Sequence, residues 1–444
     1  MFPSFIFAQR IEVYFSKDVD TALCDSLGIE YLPDGCDVRL DSLLAVYIAE
    51  AESSVDMCVY NFDDTALVFL SPAIRDALVR GVRFRIVTDD GFVNEAVIDS
   101  LEAWGITWIN NSFGLGGSGY MHCKFFIIDG RDEEILNDIV IISSSNLTVQ
   151  NLRNDANNTI VLYWSELTDA FESQFNIYWG SPSDTPNPDS ATFRSGFPDI
   201  IPHAIDGEET SVNLFFSPQY IEYEDSILKA FASADLQSFF CINRFTRDRV
   251  EDTLRSIFYN GVNLKGVFDQ NEIAYENMTH TGADSTTFWN ISPEVFIDNL
   301  ESGKLHHKYL IVDCNFPALD PLVLVGSMNW SANGFYNNNE CVLIIHSYEV
   351  AQKFFAEFAT RYVEAGGSFV GIEEKPVHRN ETMRIYPNPA RNWLNVFPTG
   401  HIKIYDIRGQ WVGDFCPPIM LCNLPAGEYI VRQGHENRKI IILP

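Results

Sequence analysis

The chain has 444 residues, enough for two or three domains with proper hydrophobic cores. Its 46% hydrophobic and 20% charged content is ordinary for a globular protein, and no apolar run approaches the ~18 residues that would cross a bilayer. Thirty Lys and Arg against 61 Asp and Glu leave a net charge of −31, which disfavours nonspecific binding of duplex nucleic acid through phosphate neutralisation but permits a local basic pocket.

Residues 1–9, Met1-Phe-Pro-Ser-Phe-Ile-Phe-Ala-Gln9, are apolar and stop at Arg10. They read as the remnant of an export signal lacking its basic start, or as a first strand running into Ile11-Glu-Val-Tyr-Phe15. Residues 10–180 and 211–370 form an internal repeat. Ile11–Ser16 corresponds to Val212–Ser217, Asp41-Ser-Leu-Leu44 to Asp225-Ser-Ile-Leu228, Cys58–Phe62 to Cys241–Phe245, and Gly81–Asp89 to Gly261–Asp269. Alternating strand and helix patterns in each copy predict an α/β domain with helices covering a sheet. Residues 181–210, rich in Pro, Ser and Asp, read as a surface linker between the copies, and 371–382 as a second linker.

The strongest pattern lies late in each copy. His122-Cys-Lys-Phe-Phe-Ile-Ile-Asp129 returns as His306-His-Lys-Tyr-Leu-Ile-Val-Asp313. Each is followed by a polar cluster: Ser143-Ser-Ser-Asn-Leu-Thr148 in the first copy, Gly326-Ser-Met-Asn-Trp-Ser331 in the second. On a strand, side chains alternate between faces, so His122 shares a face with Lys124, and His306 with Lys308. Cys123 and His307 point the other way, which makes His307 a packing or surface residue rather than a third catalytic histidine. Asp129 and Asp313 fall off that face and read as structural.

This doubled pattern resembles the phospholipase D superfamily, with one departure: Ser143 stands where the second copy has Gly326. The resemblance implies two repeats related by a pseudo-twofold axis, and a two-step reaction. One histidine attacks phosphorus to give a phosphohistidine; the other protonates the leaving alcohol, then activates water or an acceptor alcohol. Lys124, Lys308, Asn146 and Asn329, with Ser144 and Ser327, would bind the non-bridging phosphate oxygens. The family also places a carboxylate after each Ser/Asn cluster to orient a histidine. Glu340 fills that place in the second copy, and aligns with the neutral Asn158 of Asn157-Asn158 in the first. If the contact crosses between halves, Glu340 supports His122 as nucleophile and leaves His306 as the acid, backed by an amide. One duplicated chain could then build the whole site as a monomer.

No metal or other cofactor is implied. Asp63-Asp64 and Asp89-Asp90 read as solvated strand ends. The nine cysteines lack metal-ligand spacing, although Cys24/Cys36 and Cys416/Cys422 could each close a local loop in an exported protein. Gly114–Gly119 reads as a turn before the first catalytic strand. Trp330, Phe335 and Tyr336 are placed either to wall a pocket or to fill the core.

From Met383 the pattern changes to short β runs with Asp/Gly turns, predicting a small C-terminal β-sandwich over 383–444. Its ordered landmarks, Tyr386-Pro-Asn-Pro-Ala390, Trp393-Leu-Asn-Val396, Ile402–Gly409, Leu424–Val431 and Lys439-Ile-Ile-Ile442, resemble the sorting domain of type IX secretion cargo. The ending Ile442-Leu-Pro444 departs from the basic residue usual there, and a generic immunoglobulin-like module is the alternative. The resemblance implies the type IX secretion machinery as partner, and a protein secreted or held at the cell surface. The functional expectation is a secreted phospholipase D-type enzyme acting on phospholipid head groups. A secreted nuclease and an inactive surface binding protein are the alternatives.

Overall fold

The computed structural model describes residues 9–91, 93–115, 119–193, 203–206, 210–218, 221–279, 289–369, 384–386, 393–397, 402–406, 410–415, 419–420, 424–433 and 436–442. Residues 1–8, the expected linker 371–382, Cys416 and Cys422 lie outside them, as do 116–118 of the glycine-rich stretch. Two compact units divide near residue 368.

In the first half of the larger unit the strands are β1 (Arg10–Phe15), β2 (Ser54–Val59), β3 (Arg83–Thr88), β4 (Thr107–Asn110), β5 (Lys124–Ile128), β6 (Ile139–Ser143) and β7 (Asn158–Tyr163). They form a seven-stranded sheet in the order β1-β7-β6-β5-β2-β3-β4. The second half has β8 (His203–Asp206), β9 (Ser211–Ser217), β10 (Gln237–Ile242), β11 (Asn263–Phe268), β12 (Glu294–Ile297), β13 (Lys308–Val312), β14 (Leu322–Gly326) and β15 (Glu340–His346). Its order, β12-β11-β10-β13-β14-β15-β9-β8, repeats the first sheet with one added edge strand. In each half two parallel pairings (β2–β3–β4, β10–β11–β12) adjoin antiparallel ones.

The motif strands β5 (KFFII) and β13 (KYLIV) are buried along their whole length, as central strands covered on both faces must be. Helices supply that cover. The chief ones are α1 (Thr21–Ser26), α2 (Leu40–Glu50), α3 (Asp64–Arg80), α4 (Glu95–Ala103), α5 (Val149–Arg153), α6 (Ser165–Trp179), α7 (Ile221–Ala232), α8 (Asp248–Tyr259), α9 (Ile273–Thr279), α10 (Ala332–Tyr336) and α11 (Tyr348–Glu364). Each half has its own apolar cluster, around Leu44, Val55 and Phe126 in one and Phe240, Leu310 and Trp330 in the other. Trp330 and Phe335 are core residues, and the Tyr336 hydroxyl donates to Glu224. The halves meet through aromatic contacts, Phe125 tilted on Phe216 (6.3 Å between centroids) and Phe15 edge-on to Phe354 (5.3 Å).

Two expectations need correction. Residues 181–190 run over the surface as expected, but 191–193 return to the domain. Ala191 and Phe193 are buried, Phe193 stacks on Tyr178, and Thr192 N donates to Ile177 O, while β8 pairs antiparallel with β9. The apolar residues within that Pro- and Ser-rich stretch draw it back onto the domain. Cys24 and Cys36 are both free thiols.

Among the described residues of the smaller unit, the regular elements are all strands. Strands 384–386, 393–397 and 419–420 make a three-stranded sheet, and 402–406, 411–415, 427–433 and 436–442 a four-stranded antiparallel one. Alternating Ile402, Ile404, Val431, Ile440 and Ile442 form its core, the period-2 pattern read from the sequence.

Candidate active site

His122 and His306 stand two residues before β5 and β13, each of which begins at its lysine. All four side chains are buried. Lys124 Nζ donates to His122 O and Lys308 Nζ to His306 O, both at 2.6 Å, so each lysine is folded back beside its own histidine. The four groups lie within electrostatic reach of one another: Lys308 depresses the pKa of His122, and both Lys124 and His122 depress that of His306. Burial is the first cause of each shift. It lowers His122 below its usual value, His306 well below it, Lys124 to about 8 and Lys308 well below the ordinary lysine range.

Each histidine is oriented from the opposite half. Glu340 Oε2 lies 2.8 Å from His122 Nδ1, and Asn157 Oδ1 lies 3.0 Å from His306 Nδ1. The carboxylate can only accept, so His122 Nδ1 carries the proton. Asn157 is fixed as an acceptor toward His306 because its Nδ2 donates to Asn151 O and Asp155 O. Both rings therefore present Nε2 to the site. Burial raises the Glu340 carboxyl, but His122, Lys124 and the Ser327 hydroxyl outweigh it and hold the group ionised.

The amide behind His306 is thus Asn157, not the Asn158 aligned from sequence. The ladder decides it: Ser143 faces Thr159 where Gly326 faces Val342, so Glu340 corresponds to Asn157. Asn158 instead meets His307 Nδ1 at 3.2 Å. His307 is fully buried, with Nε2 2.9 Å from Glu357, and packs between the halves.

Ser144 and Ser327 also differ from expectation. Ser327 Oγ donates to Glu340 Oε2 at 2.5 Å and Ser144 Oγ to Asn157 Oδ1 at 3.0 Å. Each hydroxyl proton is spent on the group that orients a histidine, so the serines do not donate to phosphate. Asn146 and Asn329 each have a buried Oδ1 with no hydrogen-bond partner among the described residues, and Asn146 Nδ2 donates to Asn151. Their amide N–H groups remain the candidates for phosphate oxygens.

Asp129 and Asp313 sit at positive φ (59° and 47°) beyond the motif strands. Asp129 accepts from the backbone N–H groups of Glu52, Ser53 and Ser54, and Asp313 from those of Asp235, Leu236 and Gln237. Each ties the end of its motif strand to the start of the neighbouring strand, β2 or β10. Asp89 is a buried acceptor for Met121 N and Asn111 rather than a solvated strand end. Gly326 has φ 150°, and a Cβ there would lie 2.1 Å from Cys341 O. Ser143 replaces it in the first half by hydrogen-bonding Asn158 O.

One asymmetry had no sequence signal. Tyr60 packs against the His122 ring at 4.6 Å and lies 4.9 Å from Lys124 Nζ, whereas the equivalent Asn243 donates to Leu305 O. Among the described residues no group of three or more His, Cys, Asp or Glu could hold a metal ion.

Residues 44–179 and 227–362 each match the family model described as cardiolipin synthase, PLD-like domain. The chain belongs to the PLD-like family. It is, with that family, a phosphodiesterase, a hydrolase acting on phosphoric diester bonds. Mitochondrial cardiolipin hydrolase of Homo sapiens is 30% identical over 184 residues, covering 38% of this chain and 67% of that protein. The Mus musculus protein is 29% identical over 182 residues, covering 38% and 76%. The structure of phosphatidylserine synthase from Haemophilus influenzae Rd KW20 covers 73% of this PLD-like chain and 86% of its own, with a TM-score of 0.51 and 14% identity, a likeness of fold.

Proposed function

We propose that this PLD-like protein is an exported enzyme that hydrolyses the head group of phospholipids through a phosphohistidine on His122. The observation that carries the reading is the pair of histidines, each presenting Nε2 and each held at Nδ1 by the opposite half, one by a carboxylate and one by an amide. Attack of His122 Nε2 on phosphorus places positive charge on its ring, and Glu340 balances that charge where an amide would not. His306, protonated at Nε2, gives its proton to the departing alcohol. Now neutral, it takes a proton from the water that attacks the phosphohistidine, releasing phosphatidic acid and restoring His122. An acceptor alcohol in place of water gives head-group transfer. Lys124, Lys308, Asn146 and Asn329 stabilise the charge on the non-bridging oxygens.

A lipid substrate is favoured by the −31 net charge, which repels polyanions, and by relatives named as cardiolipin hydrolases. Export is inferred from the C-terminal β unit and its resemblance to type IX sorting domains. Purified protein is tested against phosphatidylcholine and cardiolipin vesicles and single-stranded DNA, all in chelator. Head-group release is the expected result; faster DNA cleavage would make the protein a nuclease instead. A phosphohistidine trapped on His306 in a His122→Ala protein would reverse the roles of the two rings. Export is tested by expressing the chain with and without residues 383–444 in a type IX-competent host and locating it by fractionation.

A further inference from the structure

We infer that Asp155 and Asn338 are positioning residues of the reaction, each fixing the approach of the other half's histidine. The inference rests on the two-histidine reading above. Three successive backbone N–H groups lead into each motif strand, and every one has a defined acceptor. For His122, Tyr120 N donates to Asn338 Oδ1 (3.1 Å), Met121 N to Asp89 Oδ2 (2.8 Å) and His122 N to Asn339 O (2.9 Å). For His306, Lys304 N donates to Asp155 Oδ1 (2.9 Å), Leu305 N to Asp269 Oδ1 (2.8 Å) and His306 N to Ala156 O (2.8 Å). The middle acceptor comes from the histidine's own half, and the outer two from the other half. Asn339 N and Ala156 N return bonds to Tyr120 O and Lys304 O, so each approach segment is a short inter-half β-bridge.

Asp155 and Asn338 are equivalent in the two ladders, and each does a second task. Asn338 Nδ2 donates to Glu340 Oε1 at 3.0 Å, steadying the carboxylate that holds His122. Asp155 Oδ2 accepts from Asn151 Nδ2 at 2.9 Å, and Asn151 Oδ1 accepts from both N and Nδ2 of Asn146. Each side chain thus couples the path into one histidine to a second group of the same site. Both are buried, so no solvent substitutes for the lost acceptor.

The two positions should fail differently. Asp155 governs His306, so its loss should slow the first step only where the leaving group needs a proton, and the second step, where His306 acts as base, for every substrate. With Asp155→Ala, turnover of an alkyl phosphodiester should fall about 10²-fold with KM unchanged, the scale of a ~1 Å misplacement. The same variant with bis(p-nitrophenyl) phosphate, whose leaving group needs no acid, should keep a stoichiometric burst of nitrophenol followed by slow turnover. Asn338→Ala should suppress the burst as well, because it disturbs the nucleophile. Asp155→Asn keeps Oδ1 for Lys304 but turns Nδ2 toward Asn151, so it should recover part of the loss. Loss of the nitrophenol burst in Asp155→Ala, or no recovery in Asp155→Asn, would make the residue merely structural and overturn the inference. An inactive wild-type protein would instead sink the proposed function.

Discussion

Replacing Glu340 by Gln removes one charge from a fully buried group that receives three side-chain donors. Oε2 faces His122 Nδ1 at 2.8 Å and accepts from Ser327 Oγ, while Oε1 accepts from Asn338 Nδ2 at 3.0 Å. A charge-assisted hydrogen bond of this kind contributes about 1.5–3 kcal/mol. That bond strengthens as His122 gains positive charge during attack, so its loss should fall on the rate, by about ten- to a hundredfold. Gln also places an NH2 where a carboxylate oxygen accepted, opposite the Asn338 amide, and Asn338 cannot turn without releasing Tyr120 N. The single variant should therefore lose stability as well. A Glu340→Gln/Asn338→Asp double variant supplies an acceptor for the new NH2 while leaving His122 without its adjacent charge, so it should recover stability but not rate. Burst kinetics on bis(p-nitrophenyl) phosphate, read beside thermal melts, separate the two effects. A folded Glu340→Gln protein with wild-type burst rate, or a double variant that recovers the rate, would refute the electrostatic role of Glu340.

Because burial holds His306 well below its usual pKa and it must be protonated to act, kcat/KM should fall as pH rises through a value below ~6.5, giving an acidic optimum in a pH–rate profile. Lys124, at about 8, loses its proton only later. Asn157→Asp puts a carboxylate against His306 and should shift that basic limb upward. It should also cost stability, since the new oxygen faces Asn151 O and Asp155 O. Asp129→Ala or Asp313→Ala should lower stability by about 3 kcal/mol in denaturant titration, through stranded backbone donors and a left-handed backbone, with phosphate-competition constants unchanged. Gly326→Ala should unfold the protein at lower temperature and reduce activity through its neighbour Ser327, whereas Ser143→Gly should cost far less.

The repeat, the sheet-and-helix alternation and the placement of His and Lys on one face were legible because each follows from local periodicity. The family resemblance supplied an orienting carboxylate at Glu340, but whether it crosses to His122 or serves its own half's His306 stayed open in the sequence, because nothing local marks a contact between halves. The amide behind His306 was not legible either, because one residue of ladder register separates Asn157 from Asn158 and sends them to opposite faces. The serines were misread for a related reason. Their type and position suit phosphate, but a hydroxyl has one proton, and Glu340 and Asn157 take it. Asp155 and Asn338 gave no signal at all, because they act on backbone N–H groups well over a hundred residues away, and no side-chain pattern marks such a contact.

His122 finds its carboxylate 218 positions downstream, and His306 its amide 149 positions upstream. Closing loops of that length costs chain entropy that the docked halves must offset. A chain whose halves have not yet met therefore carries both histidines without the partners that orient them. The paired centre exists only where the two halves meet, so neither half carries a complete histidine–partner pair by itself.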